Sequence, residues 1–174
     1  MAADVAGTDF YAEDSASPVT ITKPAAFASG QILVAVHVQH SGAGVLADLT
    51  GPGTWTQQGS YDAGSGSQAK VWSHVFSGGD PATWDFAYKS DADTVMVVFR
   101  ITGADTTPTI VVTSNTFASL GSSDDSPTVT PTGSDDLLLC TLADACGGTV
   151  LGYTKPSTMT RSEEHTSELQ SRHN

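Results

Sequence analysis

Short runs of alternating apolar and polar residues, separated by clusters of Gly, Pro, Asp and Ser, follow one another along the chain from Ser17. A period of two is typical of β-strands that bury one face, and the intervening residue types favour turns. No segment longer than about ten residues has the i, i+3, i+4, i+7 apolar spacing of an amphipathic helix. The pattern predicts strands at Val19–Thr22, Gln31–Val38, Thr54–Tyr61, Ala69–Phe76, Thr83–Tyr88, Thr94–Thr102, Thr109–Thr113, Thr128–Thr130 and Asp136–Ala143, with a further candidate at Thr149–Tyr153.

Two of these segments, Gln31–Val38 and Thr94–Ile101, are apolar on both alternating faces. Such strands are typical of the centre of a sheet whose outer face is also covered, here by loops or by a neighbouring subunit. In Thr83–Tyr88, by contrast, the bulky aromatic side chains all fall on one face. Many short strands with frequent turn signals predict an all-β fold, a two-sheet antiparallel sandwich that is jelly-roll-like.

The chain divides into three parts by pattern. Residues 1–16 are small and acidic without sustained periodicity, which predicts a flexible N-terminal lead-in, and residues 17–160 form the predicted β-sandwich. Residues 161–174 differ from both, because three of the four glutamates of the chain lie there. A short capped helix starting near Ser162 is one interpretation of this tail.

The tail also has a specific resemblance. Arg161–Ser171 reads RSEEHTSELQS, which resembles the in-frame translation of a common short-read sequencing adapter. On this interpretation residues 161–174 are a non-native, adapter-derived tail and do not belong in the fold argument. We then expect the natural chain to continue past Thr160, so that the sandwich is truncated at its C-terminus and lacks its final strands.

Composition excludes several classes of function. The 174 residues carry 7 Lys and Arg against 19 Asp and Glu, a formal net charge of −12, which argues against nucleic acid and against an anionic membrane surface as partners. The longest apolar runs, Ile32–Val36 and Val95–Phe99, are too short to span a membrane. The N-terminus has neither the basic region nor the apolar core of a secretory signal.

Motifs for catalysis are absent from the sequence. There is no Gly-x-Ser-x-Gly nucleophile elbow and no His-Glu-x-x-His pair. His37 and His40 are three residues apart, so on a strand their rings point to opposite faces and do not chelate one metal. His74 alternates with apolar neighbours, as a structural histidine in a strand does. With two cysteines there is no disulfide scaffold either. We therefore predict a protein that is not an enzyme and has no catalytic residues.

Two residue sets are candidates for ligand binding. Flat aromatic rings stack on sugar faces, which makes Trp84, Tyr88 and Tyr61 candidates for a carbohydrate site, although core packing is the default interpretation of these rings. Carboxylates in Ser- and Gly-rich loops suit Ca²⁺, and turn formation is the competing explanation for them. These weak metal candidates are Asp91, Asp93, Asp124 and Asp125. No other cofactor is indicated.

The order of motifs carries a further resemblance. Gly53-Thr54-Trp55-Thr56 is followed by Val71-Trp72, then by Gly79-Asp80-Pro81-Ala82-Thr83-Trp84 and finally by Arg100-Ile101-Thr102-Gly103-Ala104-Asp105. This order, over roughly residues 17–160, resembles β-sandwich modules of tailed-phage and actinobacterial-prophage virion proteins, which are usually labelled minor tail, fibre or decoration proteins. The motifs that carry the resemblance include no catalytic motif.

The resemblance implies a non-enzymatic, structural or adhesive component of a virion, made in the cytoplasm of a bacterial host. Its implied partners are other virion proteins or further copies of itself, and a host-surface glycan is a candidate ligand. The alternative is a carbohydrate-binding module, calcium-assisted through the Asp loops. A hydrolase is a weaker third interpretation, because solvated Asp loops lack the burial that raises the pKa of a catalytic acid.

Overall fold

The structure, a computed structural model, describes residues 4–14, 17–25, 27–40, 49–62, 67–89 and 92–104, together with Leu137 and Leu139. Within these residues the chain forms strands and no helix, which confirms the all-β prediction for this part. The strands are β1 (Asp4–Asp14), β2 (Val19–Thr22), β3 (Ile32–His40), β4 (Thr56–Asp62), β5 (Ser67–Val75), β6 (Thr83–Phe86) and β7 (Asp93–Thr102). The strands predicted after residue 105 and the tail 161–174 lie outside the described residues, apart from Leu137 and Leu139.

The strands form two antiparallel sheets. One has five strands in the order β1-β7-β3-β5-β4, and the other pairs β2 with β6. β3 is bonded along its whole length on both sides, with Ile32 opposite Val75 of β5 and Ile101 of β7. The prediction that β3 and β7 are inner strands is therefore confirmed. Two antiparallel sheets agree with the predicted sandwich, whereas the jelly-roll connectivity stays a prediction.

The lead-in predicted for residues 1–16 is wrong for Asp4–Asp14, which form the edge strand β1. It pairs with β7 from Asp4 opposite Thr102 to Asp14 opposite Asp93, with a bulge between Val5 and Gly7. The pairing rests on backbone hydrogen bonds to the free edge of β7, and these do not require an apolar periodicity. Sequence pattern alone was therefore a poor guide to this strand.

The inner face of the five-stranded sheet, defined as the face that packs on β2 and β6, carries the main core. Aromatic rings dominate it: Trp55 lies edge-on to Phe86 with centroids 5.1 Å apart, and Trp72 meets Phe86 at 5.9 Å. Edge-to-face contacts of this kind suit the quadrupoles of the rings. The buried members of the cluster are Val19, Ile21, Leu33, Ala35, Leu49, Trp55, Trp72, Phe76, Trp84, Phe86, Tyr88, Ala92, Met96 and Val98.

The outer face, on the opposite side of the same sheet, carries a second apolar cluster. Ile32, Val34 and Ile101 are buried there, and partly buried apolar residues pack against them. Those residues are Val5, Val71, Phe99, Ala104 and Leu139. Both faces of the sheet are therefore apolar, as the sequence of its inner strands predicts.

Gly51 tests how tightly the aromatic core is packed. A Cβ atom at this position would lie 3.0 Å from Cε3 of Trp72 and 3.2 Å from Cε1 of Phe86, whereas one at Gly53 would meet nothing within 4 Å. We expect Gly51→Ala to lower the free energy of unfolding by about 1–3 kcal/mol, because the rings must move. Gly53→Ala is the matched control and should not destabilise. Urea unfolding measures both, and equal free energies for the two variants would contradict the packing.

Candidate functional site

A histidine–carboxylate pair joins β5 to the connection that leads into β6. Nε2 of His74 lies 2.8 Å from Oδ2 of Asp80, and both side chains are nearly buried, at 7% and 6% exposure. Nδ1 of the same ring lies 2.9 Å from the carbonyl oxygen of Thr54. A carbonyl and a carboxylate both accept, so this geometry suits an imidazolium that donates from both nitrogens. The ring of Trp55 stacks on it at 5.3 Å.

The Asp80 carboxylate has further donors. The backbone N–H of Ser77 donates to Oδ2 at 2.7 Å, and the Ser77 hydroxyl donates to Oδ1 at 3.2 Å. Burial alone would raise the pKa of Asp80, but the hydrogen bonds from Ser77 and His74 and the His74 charge outweigh it and hold that pKa below its ordinary value. Nζ of Lys23 reaches the backbone carbonyl of Asp80 at 3.1 Å. The carboxylate is therefore held ionised and fixed.

A His–Asp pair is also part of many catalytic triads, but this pair has a different arrangement. A catalytic histidine holds the carboxylate with one nitrogen and the nucleophile with the other. Here the second nitrogen of His74 is occupied by the Thr54 backbone, and the Ser77 hydroxyl donates to Asp80. The pair therefore ties the segment before β4 and the β5–β6 connection to β5, which fits the structural histidine that the sequence indicates.

A second polar cluster lies within the inner face, around His37 of β3. This ring is fully buried, and its Nε2 lies 2.8 Å from Oγ1 of Thr94. The Thr94 hydroxyl donates to the carbonyl of Val38 at 2.8 Å, so it accepts from His37, which places the proton on Nε2. Nδ1 is buried without a hydrogen-bond partner. Burial lowers the pKa of His37 to about 4, and the ring is neutral at pH 7.

The same cluster continues through two glutamines and a lysine. Nε2 of Gln39 donates to Oε1 of Gln68 at 3.0 Å, and Oε1 of Gln39 accepts from the backbone N–H of Lys89. Oε1 of Gln68 also accepts from the backbone N–H of Leu49 at 2.9 Å. Nζ of the buried Lys70 donates to the carbonyl of Leu49 at 2.8 Å. These bonds attach the residues just before β4 and just after β6 to the sheet.

The aromatic candidates for a sugar site are not brought together. Trp84 is 2% exposed and Tyr88 is 5% exposed, because both belong to the core on the inner face. Neither ring offers a face to solvent, so the core interpretation replaces the stacking platform at these two residues. Tyr61 is half-buried on the edge strand β4, opposite Ala69, and this register places it on the outer face. The three rings therefore do not form one platform.

Of the four metal candidates, only Asp93 is described. It is the exposed first residue of β7 and pairs in register with Asp14 and His40. Asp91, Asp124 and Asp125 lie outside the described residues. Within the ranges that the structure describes, no group of three His, Cys, Asp or Glu side chains is close enough to hold a metal ion. The calcium prediction therefore has no support from these residues.

Among the strands that the structure describes, four connections start or finish at one end of the five-stranded sheet. The register aligns Asp14, Asp93, His40 and Ser67 in one row across β1, β7, β3 and β5. These residues end β1 and β3 and begin β7 and β5, so the β1–β2, β3–β4, β4–β5 and β6–β7 connections all start or finish there. We call this row and its connections the loop end. The sequence predicts the separate turns but not their convergence, which depends on strand order.

No protein-family model matches the chain, and no match was found among curated proteins or among solved structures. Within the described part, no helix has the length and apolar character needed to cross a bilayer.

The buried His37 makes stability depend on pH. In the unfolded chain a histidine takes up its proton near 6.5, whereas folded His37 does so only near 4. Stability is therefore complete above pH 6.5 and falls as the pH drops toward 4, by about 3 kcal/mol. Urea unfolding at several pH values should show this slope, and His37→Gln should flatten it. An unchanged slope in the variant would contradict the burial of a neutral ring.

The His74–Asp80 pair is tested by Asp80→Asn. An amide retains a hydrogen bond from Ser77 but loses the charge that faces His74, so we expect a loss of about 2–3 kcal/mol at pH 7. Because the pKa of Asp80 is depressed, this contribution is present above its ordinary value of 3.8 and fades as the pH falls below it. Asp85→Asn is the control, since Asp85 is exposed and accepts only from the Thr20 hydroxyl in the described bonds.

The control should cost less than about 1 kcal/mol. Thermal or urea unfolding at pH 7 compares the two variants. If Asp80→Asn and Asp85→Asn cost the same, the buried pair does not hold the connection.

Proposed function

We propose that the chain is a non-enzymatic structural or adhesive component of a phage virion, of the minor tail, fibre or decoration kind. It presents the loop end to a host surface or to a neighbouring subunit. The order of motifs that resembles phage β-sandwich modules supports this class. An all-β fold of two antiparallel sheets is compatible with it.

The observation that carries the proposal is the set of hydrogen-bond partners of the buried polar side chains. These partners are backbone groups of connections between strands. Gln68 and Lys70 bond to the backbone of Leu49 in the β3–β4 connection, and Gln39 bonds to the backbone of Lys89 in the β6–β7 connection. Both connections belong to the loop end. An active site instead leaves acid, base or nucleophile groups facing a space that substrate can enter. In the described part of the chain these buried polar groups fix connections of the loop end, which is what a module that binds through its shape requires.

The motifs behind the resemblance lie in the aromatic core and in the buried His74–Asp80 pair. Trp55 and Trp84 belong to the aromatic core, and Asp80 is the carboxylate of the buried pair. The motifs are therefore fold-forming, which supports a shared architecture and explains why no catalytic residue accompanies them.

Charge is also compatible with many copies in one assembly. A net charge of −12 keeps free subunits apart in solution and disfavours adsorption to nucleic acid. Partners would be other virion proteins, further copies of the chain or a host-surface glycan.

Particle composition tests the class directly. After induction of the phage or prophage that carries the gene, we expect peptides of this chain to co-purify with density-gradient virions and to be absent from the same fraction of an uninduced culture. Mass spectrometry of the fractions measures this. Finding the chain only in the soluble lysate, with known capsid proteins in the particles, would reject the proposal. Binding to a glycan array by a chain absent from particles would favour the carbohydrate-binding alternative.

A further inference from the structure

The outer face of the five-stranded sheet is apolar over three adjacent strands. The register aligns its side chains in rows that run from β7 through β3 to β5. The apolar members are Ile32, Val34, Val36 and Val38 of β3, Val95, Val97, Phe99 and Ile101 of β7, and Ala69, Val71 and Val75 of β5. The row of Asp93, His40 and Ser67 forms one end of this face. Beyond that row, Ser73 is the one polar residue that β7, β3 and β5 place on the outer face. A face of this composition requires a cover in water.

A cover is present at one end of the face. Ile32, Val34 and Ile101 lie on the outer face and are nevertheless buried, whereas Val75, opposite Ile32 in the same row, is 39% exposed. The cover at this end therefore lies over β3 and β7 and leaves the end of β5 open. Leu139, far along the chain from β7, packs against this buried cluster, and Ala104 does so directly after β7. The contact of Leu139 identifies the chain's own later segment as the material that reaches the face.

We propose that the chain itself, and not a second copy, covers the outer face through the segment after β7, with Leu139 seated on Ile32, Val34 and Ile101. The segment has the composition for this role, since it contains the apolar runs Thr109–Thr113 and Asp136–Ala143. Its attachment also suits the role, because β7 ends beside the cluster and Ala104 already contacts it. The five-stranded sheet then has β2 and β6 on its inner face and Leu139 on its outer face.

This assignment chooses between the two covers that the sequence leaves open. A second copy of the chain would cover the face from outside and would compete with Leu139 for the same cluster. A segment of the same chain needs no oligomer, and it explains why β3 and β7 are apolar on both faces even in a monomer.

A substitution pair tests the seat of Leu139. In the full chain, Leu139→Asp places a charge on the buried cluster, and we expect the urea midpoint to fall and the fluorescence of a hydrophobic dye to rise several-fold. Leu137→Asp is the matched control, because Leu137 is 38% exposed and lies two residues away; it should change neither value appreciably. Equal effects of the two substitutions, or no effect of either, would overturn the proposal.

Cross-linking distinguishes the possible occupants without relying on a destabilised variant. In a background of Cys140→Ser and Cys146→Ser, Val34→Cys combined with Leu139→Cys should react with a short bifunctional thiol reagent to give a cross-linked monomer. Thr20→Cys with Leu139→Cys is the control and should remain uncross-linked, since Thr20 is exposed on the other sheet. A cross-linked dimer would assign the face to a second copy and overturn the proposal, as would the absence of any Val34–Leu139 product.

Discussion

The alternation of β3 is the constraint on which the rest of the described structure depends. Ile32–His40 is hydrogen-bonded to a neighbour on each side, so every second side chain must enter one face. Leu33, Ala35, His37 and Gln39 enter the inner face, while the intervening valines enter the outer face. A register slip of one residue would exchange these sets. It would place valines against the polar partners Thr94 and Lys70 and leave His37 among aliphatic side chains.

The inner face combines aromatic packing with polar groups that are not all satisfied. The indole N–H groups of Trp55, Trp72 and Trp84 are buried without hydrogen-bond partners. Burying an indole removes 150–250 Å² from water, roughly 4–6 kcal/mol at about 25 cal/mol per Å². An unsatisfied donor costs about 1–3 kcal/mol, so ring burial outweighs it. The rings are therefore held by packing. Gly51 lies against the rings of Trp72 and Phe86, in a place where a Cβ atom would come too close to them.

The alternation of apolar and polar residues predicts the strands that bury side chains on one face. It does not predict a strand that is formed by backbone pairing alone. Val19–Thr22 is found with the predicted bounds, because each of its faces has a distinct environment. β1 gives no such signal, since its residues are mostly small or acidic and its partner β7 is the last described strand along the chain. The sequence also indicates that the outer face is covered, but the identity of the cover depends on a contact that no local pattern encodes.

The polar clusters were only partly predictable for the same reason. In β3 the letters V-H-V-Q place His37 and Gln39 on one face, and this signal is sufficient to suggest a buried polar row. Their bonds to Lys89 and Leu49 depend on how distant connections return to the sheet. His74 and Asp80 are close in sequence, yet their pairing needs the turn at Ser77 to bring the carboxylate back over β5.

The distinction between a catalytic and a structural histidine rests on the second nitrogen. In His74 that nitrogen donates to the backbone carbonyl of Thr54. This bond fixes Thr54 beside Trp55, whose ring stacks on the histidine. In His37 it is enclosed by the core, with the rings of Phe86 and Tyr88 edge-on at 6.1 and 6.2 Å. Neither ring can exchange a proton with a bound substrate while these contacts persist. Both instead hold strands and connections in place, so these two histidines are structural in the described part of the chain.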